Sequence, residues 1–279
     1  MREIVEQVIK ELTVSRGEAE LIVAALLEKP RFGIYLNDSV DQDTRKLLHA
    51  RLMQLKTGMP LEYVTTKMQF MDYSLHIYPG VFIPRFETEY FIELIEKLVN
   101  LVPDRILDIG TGTSAISIAL AHLYPDAQIF ATDISDIAIR CARENIKEYG
   151  LSDRIHLTQC NICDGVNTKF DLIISNPPYI PSSRLRSLPK SVRDFEPMLA
   201  IDGGQDGTQF IELIIQQTAE YLNPGGVIAL EIDEDTTAII KKFLQVSGYD
   251  KFSFRRDQFG KYRYLFIGNL KNEKSKDIN

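Results

Sequence analysis

The sequence predicts an α/β protein in which a small helical domain precedes a doubly wound, mostly parallel sheet. From residue 104 onward, short apolar segments alternate with longer segments of helical periodicity, which is typical of parallel strands joined by crossover helices. Seven segments have the composition of strands: 105–109, 128–132, 154–159, 170–175, 227–232, 251–255 and 262–267. The loop between the last two is too short for a parallel crossover, so we expect these two strands to be antiparallel.

Two further segments precede the sheet. Residues 1–57 are expected to form a helical bundle, because apolar residues recur there at helical spacing. These include Ile4, Val5, Val8, Ile9 and Leu12. In residues 58–82, aromatic and apolar residues alternate with polar ones, as in a hairpin. We therefore expect a helical domain at 1–57, a hairpin linker at 58–82, an α/β domain at 83–270 and a polar, disordered tail at 271–279.

The composition of the 279 residues argues against several classes of protein. A net charge of −7 is unfavourable for stable nucleic-acid binding, which takes most of its affinity from Lys and Arg at the phosphates. One local basic group is more typical of a solvated loop: Arg184, Arg186, Lys190 and Arg193. The longest apolar run, 21–27, is too short to span a bilayer, and the first residues lack the apolar core of a secretory signal. We expect a cytoplasmic protein without membrane association.

The cysteines predict neither a disulfide framework nor a metal site. Their number, three, is odd, and no secretory signal accompanies them. Cys160 and Cys163 form one CxxC, but a zinc site would need a second pair or nearby histidines, and the four histidines lack ligand spacing. We expect these two thiols to pack in the interior.

A glycine-rich turn at 108–115 follows a predicted strand and opens a predicted helix. Glycines there allow a tight turn and the approach of a ligand to the backbone, and the free amides of the helix start are hydrogen-bond donors. Asp133 ends the next strand, at the distance where an acid holds ribose hydroxyls. These residues predict a site for an adenosine-containing cofactor. Gly110, Gly112 and Ala115 also satisfy the dehydrogenase fingerprint, so this turn alone leaves the cofactor open.

The second motif, Asn176-Pro177-Pro178-Tyr179, follows another predicted strand at the carboxyl edge of the sheet. Each of its first two residues precedes a proline, which stiffens the loop. Pro177 presents a carbonyl acceptor without an N–H, and the Asn176 side chain adds a second acceptor for the two hydrogens of a planar NH₂ group. Tyr179 could stack on that group. The loop therefore predicts a site for an amide or amino nitrogen.

Such a nitrogen is a poor nucleophile, because its lone pair is delocalised. Two fixed acceptors would align it with a methyl donor and stabilise the positive charge that grows on it. A strong general base is not required, because the proton becomes acidic as the new bond forms. A third segment, 83–89, is by its residues a helix start, where Glu87 and Glu89 suit the positive end of the helix dipole.

Together these motifs resemble one family, the protein glutamine N(5)-methyltransferases, and among them the release factor methyltransferases called PrmC or HemK. The resemblance extends over residues 17–268 in order. It rests on the segments 58–63, 83–89, 108–113, 176–179 and 192–197. It implies a seven-stranded, Rossmann-like methyltransferase sheet and S-adenosylmethionine as the cofactor, with no metal.

The implied substrate is the side-chain amide of the glutamine in the Gly-Gly-Gln tripeptide of class-1 peptide chain release factors. The helical N-terminal domain would recognise the release factor. A monomer is the default expectation, on which the sequence itself is silent. Asn176, Pro177 and Tyr179 would be catalytic, and Pro178, Arg85 and Glu87 would also bind the substrate. The cofactor would contact a further set: Gly110, Thr111, Gly112, Thr113, Ser114, Asp133, Asn161, Ile162 and Asn176.

The sequence departs from the family pattern at several positions. Ser114 replaces a frequent glycine, and Asn161 replaces an acid that accepts the adenine amino hydrogens. Asp233 and Lys67 also stand where glycine is common. The first two departures bear on cofactor affinity.

Other functions remain open from the sequence. The same loop would hold a glutamine of a ribosomal protein or, less compatibly with the charge, an adenine of nucleic acid. A catalytically inactive cofactor-binding scaffold is a further alternative, whereas a dehydrogenase would leave the Asn-Pro-Pro-Tyr loop without a role.

Overall fold

A computed structural model of the protein describes residues 1–36, 40–268 and 270–271. The chain divides into two compact units. The first comprises Met1–Met68 and Pro189–Phe195, and the second comprises Gln69–Leu188 and the described residues from Glu196 onward. The expected hairpin linker is thus shared between the units, and the expected boundaries stay predictions. The expected disordered tail lies outside the described residues, except for Lys271.

The α-helices of the described residues follow one another along the chain. They are α1 (Arg2–Leu12), α2 (Arg16–Leu26), α3 (Gln42–Lys56), α4 (Leu61–Thr65), α5 (Phe86–Leu98), α6 (Ala115–Leu123), α7 (Asp136–Glu148), α8 (Lys190–Phe195), α9 (Gln209–Thr218) and α10 (Thr237–Val246). The strands are β1 (Lys67–Phe70), β2 (Tyr73–His76), β3 (Arg105–Ile109), β4 (Gln128–Asp133), β5 (Ile155–Gln159), β6 (Phe170–Ser175), β7 (Leu222–Glu231), β8 (Phe252–Arg256) and β9 (Tyr262–Gly268).

The first unit is helical. Ser15 begins α2 with a capping box, in which its hydroxyl accepts from the Glu18 amide (3.3 Å) and the Glu18 carboxylate accepts from the Ser15 amide (2.8 Å). Apolar side chains of α1, α2 and α3 pack together around Val5, Val23 and Leu52. Within the described residues of the chain, no helix is long and apolar enough to cross a bilayer.

The second unit contains the predicted doubly wound sheet. Its strand order is β5-β4-β3-β6-β7-β9-β8, with the first five strands parallel and β9 antiparallel to both of its neighbours. The α/β fold, the seven strands and the antiparallel pair at the end of the chain are confirmed. The chain winds outward from β3 through β4 and β5, then returns to β6 on the other side of β3. This reversal opens a crevice at the carboxyl ends of β3 and β6, where open sheets bind ligands.

One strand, β7, differs from its expected bounds by more than one residue. β7 begins at Leu222 rather than at residue 227, because Leu222 already pairs with Phe170 before an irregularity in the register. The intervening Asn-Pro-Gly-Gly sequence is typical of a turn and concealed this early pairing. The residues of β7 from Val227 onward are buried, and its last residue, Glu231, carries a fully buried carboxyl group.

Candidate active site

A cavity lies at the carboxyl ends of β3, β4, β5 and β6. The structure brings most of the expected cofactor and substrate residues into its wall. Those in the wall are Gly110, Thr111, Gly112, Thr113, Asp133, Asn161, Ile162, Asn176, Pro177 and Pro178. Parallel strands direct the loops that follow them to one edge of the sheet, so segments far apart in sequence meet here.

The glycine turn after β3 requires glycine because of its backbone conformation. Gly110 and Gly112 have φ angles of 71° and 58°, in the left-handed region that side chains disfavour. A Cβ atom built on either residue would have no neighbour within 4 Å, so the turn presents bare backbone to open space. The amides of Gly110 and Thr111 donate to the Thr132 carbonyl at 2.8 and 2.9 Å, which ties the turn to β4.

Ser114 continues the turn in the same left-handed region, with φ of 67°, and is fully buried. It lies just before α6 and behind the cavity wall rather than in it. A residue other than glycine in this conformation costs on the order of 1–2 kcal/mol. The frequent glycine of the family at this position therefore has a conformational reason.

Ser114→Gly is expected to raise the free energy of unfolding by about 0.5–1 kcal/mol, because relief of the left-handed strain exceeds the added chain entropy. Urea denaturation would measure the change. Ser114→Ala is the matched control, since it removes the hydroxyl but keeps the strain, and it should not be more stable than the parent. A less stable Ser114→Gly protein would contradict the strain argument.

Two acidic residues organise the turn. The buried Asp108 carboxylate accepts from the hydroxyls of Thr111 (2.7 Å) and Ser117 (2.5 Å), and burial raises its pKa to about 6. The Asp133 carboxylate accepts from the amides of Gly112 and Ser135, both at 2.9 Å, and burial raises its pKa as well. These bonds hold Asp133 in the cavity wall with lone pairs left to accept hydroxyl hydrogens.

The loop after β5 forms the next part of the wall. Ile162 adopts a left-handed backbone (φ 50°), and its carbonyl accepts from the Thr132 hydroxyl at 2.6 Å. Asn161 is exposed beside it in the wall. Cys160 also lines the cavity, whereas Cys163 is buried; both are free thiols, as is the buried Cys141.

The loop after β6 is held through its polar side chains. Asn176 Nδ2 donates to the Thr88 hydroxyl at 3.1 Å, and that hydroxyl donates to the Glu231 carboxylate at 2.8 Å. The Tyr179 hydroxyl donates to the other oxygen of Glu231 at 2.9 Å. Tyr179 does not line the cavity, so its expected stacking on a substrate stays a prediction.

A second loop, at 202–207, packs against the end of the Asn-Pro-Pro-Tyr loop. The Gly203 amide donates to the Ile180 carbonyl at 2.8 Å, and the Ile180 amide donates to the Ile201 carbonyl at 3.1 Å. A Cβ on Gly203 would lie 2.7 Å from the Tyr179 Cα, and one on Gly207 would lie 2.5 Å from the Tyr179 carbonyl oxygen. The packing of this loop against Tyr179 is not predicted from the sequence, although the Asp-Gly-Gly-Gln-Asp-Gly segment at 202–207 is typical of a tight loop.

Comparisons with known proteins identify the family of this chain. Residues 77–187 match the methyltransferase small domain family model. A release factor glutamine methyltransferase of Moorella thermoacetica is 36% identical over 247 residues, which cover 87% of this chain and 86% of the relative. One of Dictyoglomus turgidum is 42% identical over 199 residues, 69% of this chain and 70% of the relative. The chain belongs to the release factor glutamine methyltransferase family. The expected family and its methyltransferase activity are therefore confirmed.

Among solved structures, a 16S rRNA methyltransferase of T. thermophilus in complex with AdoMet and guanosine is similar to this methyltransferase. The TM-score is 0.54 at 18% identity, with 73% of this chain and 49% of the other covered. At that identity the likeness concerns the fold, and it agrees with the Rossmann-like methyltransferase sheet.

The cavity of this methyltransferase fits an adenosine-containing cofactor. The wall combines the Asp133 carboxylate and the bare glycine backbone with apolar side chains such as Ile109 and Ile134. Among the described residues, the buried Thr113 hydroxyl has no hydrogen-bond partner, although it lies in the same wall. A buried polar atom without a partner is costly, and a ligand that bonds to it would remove that cost.

Arg85 and Glu87 lie outside the cavity wall of this methyltransferase, whereas Pro84 and Thr88 of the same segment line it. Arg85 directly precedes α5, forms an ion pair with the buried Glu196 carboxylate, and lies over the Phe82 ring. Glu87 lies in the first turn of α5, which agrees with the helix start expected from its residues alone. A direct contact of Arg85 or Glu87 with a substrate stays a prediction.

The basic run of this methyltransferase is partly neutralised by ion pairs. Arg184 pairs with Asp233 and Asp235, each at 3.1 Å, and Arg193 pairs with Asp194 at 2.9 Å. Asp233 is buried and also accepts from the Asp235 amide at 2.9 Å, so the acid in place of the frequent glycine has two bonding partners. These contacts are typical of exposed charges with local ion pairs, although Lys190 and Arg193 lie in α8 and not in the expected loop.

Proposed function

We propose that this methyltransferase transfers a methyl group from S-adenosylmethionine to the side-chain amide nitrogen of the glutamine in the Gly-Gly-Gln tripeptide of class-1 release factors. The names of its relatives support the substrate, because release factor glutamine methyltransferases at 30–42% identity match most of the chain. The cavity supports the cofactor through Asp133, the glycine turn and the loop at 160–162.

The observation that carries the proposal is the orientation of Asn176. Its amide nitrogen is the end held by the protein, through the bond to Thr88. Its oxygen is therefore the end that can accept from a substrate. Pro177 follows in the wall and adds a carbonyl with no N–H beside it. A substrate NH₂ group has two hydrogens, so this pair of acceptors fits a primary amide.

The chemistry of the reaction follows from this pair of acceptors. S-adenosylmethionine supplies an electrophilic methyl group on a positively charged sulfur. The amide nitrogen gains positive charge as it forms its bond to that methyl group, and two acceptors on its hydrogens stabilise the charge. The same two bonds fix the direction of the nitrogen lone pair. The S–CH₃ bond would break as the N–CH₃ bond forms, which leaves the sulfur as a neutral thioether, and one amide hydrogen would then pass to water as a proton to restore the neutral amide.

The remaining assignments belong to the same proposal. Asn176, Pro177 and Tyr179 form the catalytic loop, and Arg85 and Glu87 support the substrate side. The helical segment at 1–57 recognises the release factor, and the enzyme acts as a monomer in the cytoplasm, where release factors meet the ribosome. Stable binding to nucleic acid is not part of the proposal, in line with the net charge of −7.

Methyl transfer from labelled S-adenosylmethionine to a purified release factor tests the proposal. The controls are a release factor in which the tripeptide glutamine is replaced by alanine, a set of purified ribosomal proteins, and duplex DNA. Label on the intact factor alone is the expected result. Label on a ribosomal protein or on DNA would contradict the proposal and identify that molecule as the substrate. Binding of the cofactor without any transfer would indicate a catalytically inactive scaffold.

A further inference from the structure

A buried carboxylate stands behind the substrate loop without lining the cavity. Glu231 ends β7 with no exposed surface. One of its oxygens accepts from the Thr88 hydroxyl of α5 at 2.8 Å, and the other accepts from the Tyr179 hydroxyl at 2.9 Å. One acid thus receives hydrogen bonds from α5 and from the catalytic loop itself, at residues 143 and 52 positions away in the sequence.

The hydrogen bonds from Asn176 to Glu231 can run in only one direction while the carboxylate is ionised. An ionised carboxylate has no hydrogen, so Thr88 must donate to it. A hydroxyl has a single hydrogen, so Thr88 can then only accept from Asn176. The amide of Asn176 must therefore turn its NH₂ group toward Thr88, as the 3.1 Å bond from Nδ2 shows. Its oxygen is left for the substrate.

We propose that Glu231 is a positioning residue for methyl transfer, acting through Thr88 to hold the Asn176 amide with its oxygen, and not its NH₂ group, toward the substrate. This inference rests on the proposed function and deepens it. It assigns to the carboxylate a role in orienting an acceptor, distinct from any contact with substrate or cofactor.

The protonated acid would release this constraint. A neutral Glu231 can itself donate to Thr88, which frees the Thr88 hydrogen to point at Asn176. The Asn176 amide could then rotate by half a turn and accept from Thr88 through its oxygen. Its NH₂ group would face the substrate NH₂ group, where two donors cannot bond with each other. Productive binding would be lost without any change in the backbone.

The surroundings of Glu231 make this change accessible near neutral pH. Burial and, to a smaller extent, the nearby Glu87 carboxylate of α5 raise the pKa of Glu231 to about 7, although the hydrogen bonds from Thr88 and Tyr179 and the Arg263 guanidinium of β9 lower it. The two phenols that face it, Tyr179 and Tyr264, both have pKa values raised by burial and remain neutral donors. Of these three groups, Glu231 is therefore the one that gains a proton as the pH is lowered through about 7.

Three variants separate this role from a structural one. Thr88→Val removes the hydroxyl at nearly constant shape, and kcat/KM is expected to fall on the order of 100-fold, mainly in kcat, with cofactor affinity retained. Thr88→Ser keeps a hydroxyl and should restore kcat/KM to within about threefold of the parent. In the parent, kcat/KM should decline as pH falls through about 7, and Glu231→Gln should lack that decline.

A measurement without substrate keeps the inference separate from the proposed function. The side-chain NH₂ signals of Asn176 in a ¹⁵N NMR spectrum, identified by their loss in Asn176→Asp, should shift with pH near 7 in the parent and not in Thr88→Val. Absence of methylation in the parent would refute the proposed function alone. Asn176 signals insensitive to pH, activity of folded Thr88→Val within twofold of the parent, or an acidic decline that persists in Glu231→Gln would overturn the inference.

Discussion

Asn176→Ala is expected to lower kcat/KM for methyl transfer about 10²- to 10³-fold, the loss typical when one fixed partner of a developing charge is removed. The substrate NH₂ group would keep the Pro177 carbonyl as an acceptor and lose the second one. Both its alignment and the stabilisation of its positive charge would suffer, so the loss should appear in kcat more than in KM.

The fold should tolerate this substitution. Asn176 is half-buried and follows the last residue of β6, and its side chain bonds to Thr88 alone among the described residues. Thermal unfolding would verify an intact core, and calorimetric titration with S-adenosylmethionine would separate the loss of a cofactor contact from the loss of the substrate contact. A kcat/KM within about fivefold of the parent, with both controls unchanged, would show that Asn176 has no catalytic role. A loss that small is well below the one expected when a partner of the developing charge is removed.

Gly203→Ala is expected to reduce kcat on the order of 100-fold, the effect of displacing a catalytic group by about 1 Å. The new Cβ would lie 2.7 Å from the Cα and 2.8 Å from the carbonyl carbon of Tyr179. Both are backbone atoms, so the collision cannot be relieved by a side-chain rotation. The Gly203 segment and the Asn-Pro-Pro-Tyr loop must separate, which we expect to displace the loop, and overpacking of this kind also costs about 1–3 kcal/mol of stability.

Gly165→Ala provides the matched control. Gly165 has a φ of 80°, and a Cβ there would meet nothing within 4 Å. Its substitution should cost about 1–2 kcal/mol through backbone strain alone. Both variants should therefore unfold at lower urea concentration, but only Gly203→Ala should lose activity at temperatures where it is folded. Equal losses of activity in the two variants would show that stability, and not loop position, explains the effect.

Much of the fold could be predicted because its signals are local. Apolar periodicity marks the helices and the strands, and the positive φ angles of Gly110 and Gly112 demand the residue type that the turn contains. The two prolines of the catalytic loop restrict its backbone without help from other segments. The start of β7 was not predicted, because it depends on a distant segment: Leu222 pairs with Phe170, and the sequence that follows Leu222 is typical of a turn.

By itself the sequence determined the sheet, the glycine turn and the stiff Asn-Pro-Pro-Tyr loop, since each depends on conformational preferences within a few residues. The tertiary structure alone decided the hydrogen-bond partner of the Asn176 side chain. Thr88 and Glu231 are separated from each other by 143 residues, and Thr88 and Asn176 by 88. The direction of a hydrogen bond depends on which donor and acceptor meet, and these three side chains meet only when α5 packs beside the carboxyl ends of β6 and β7.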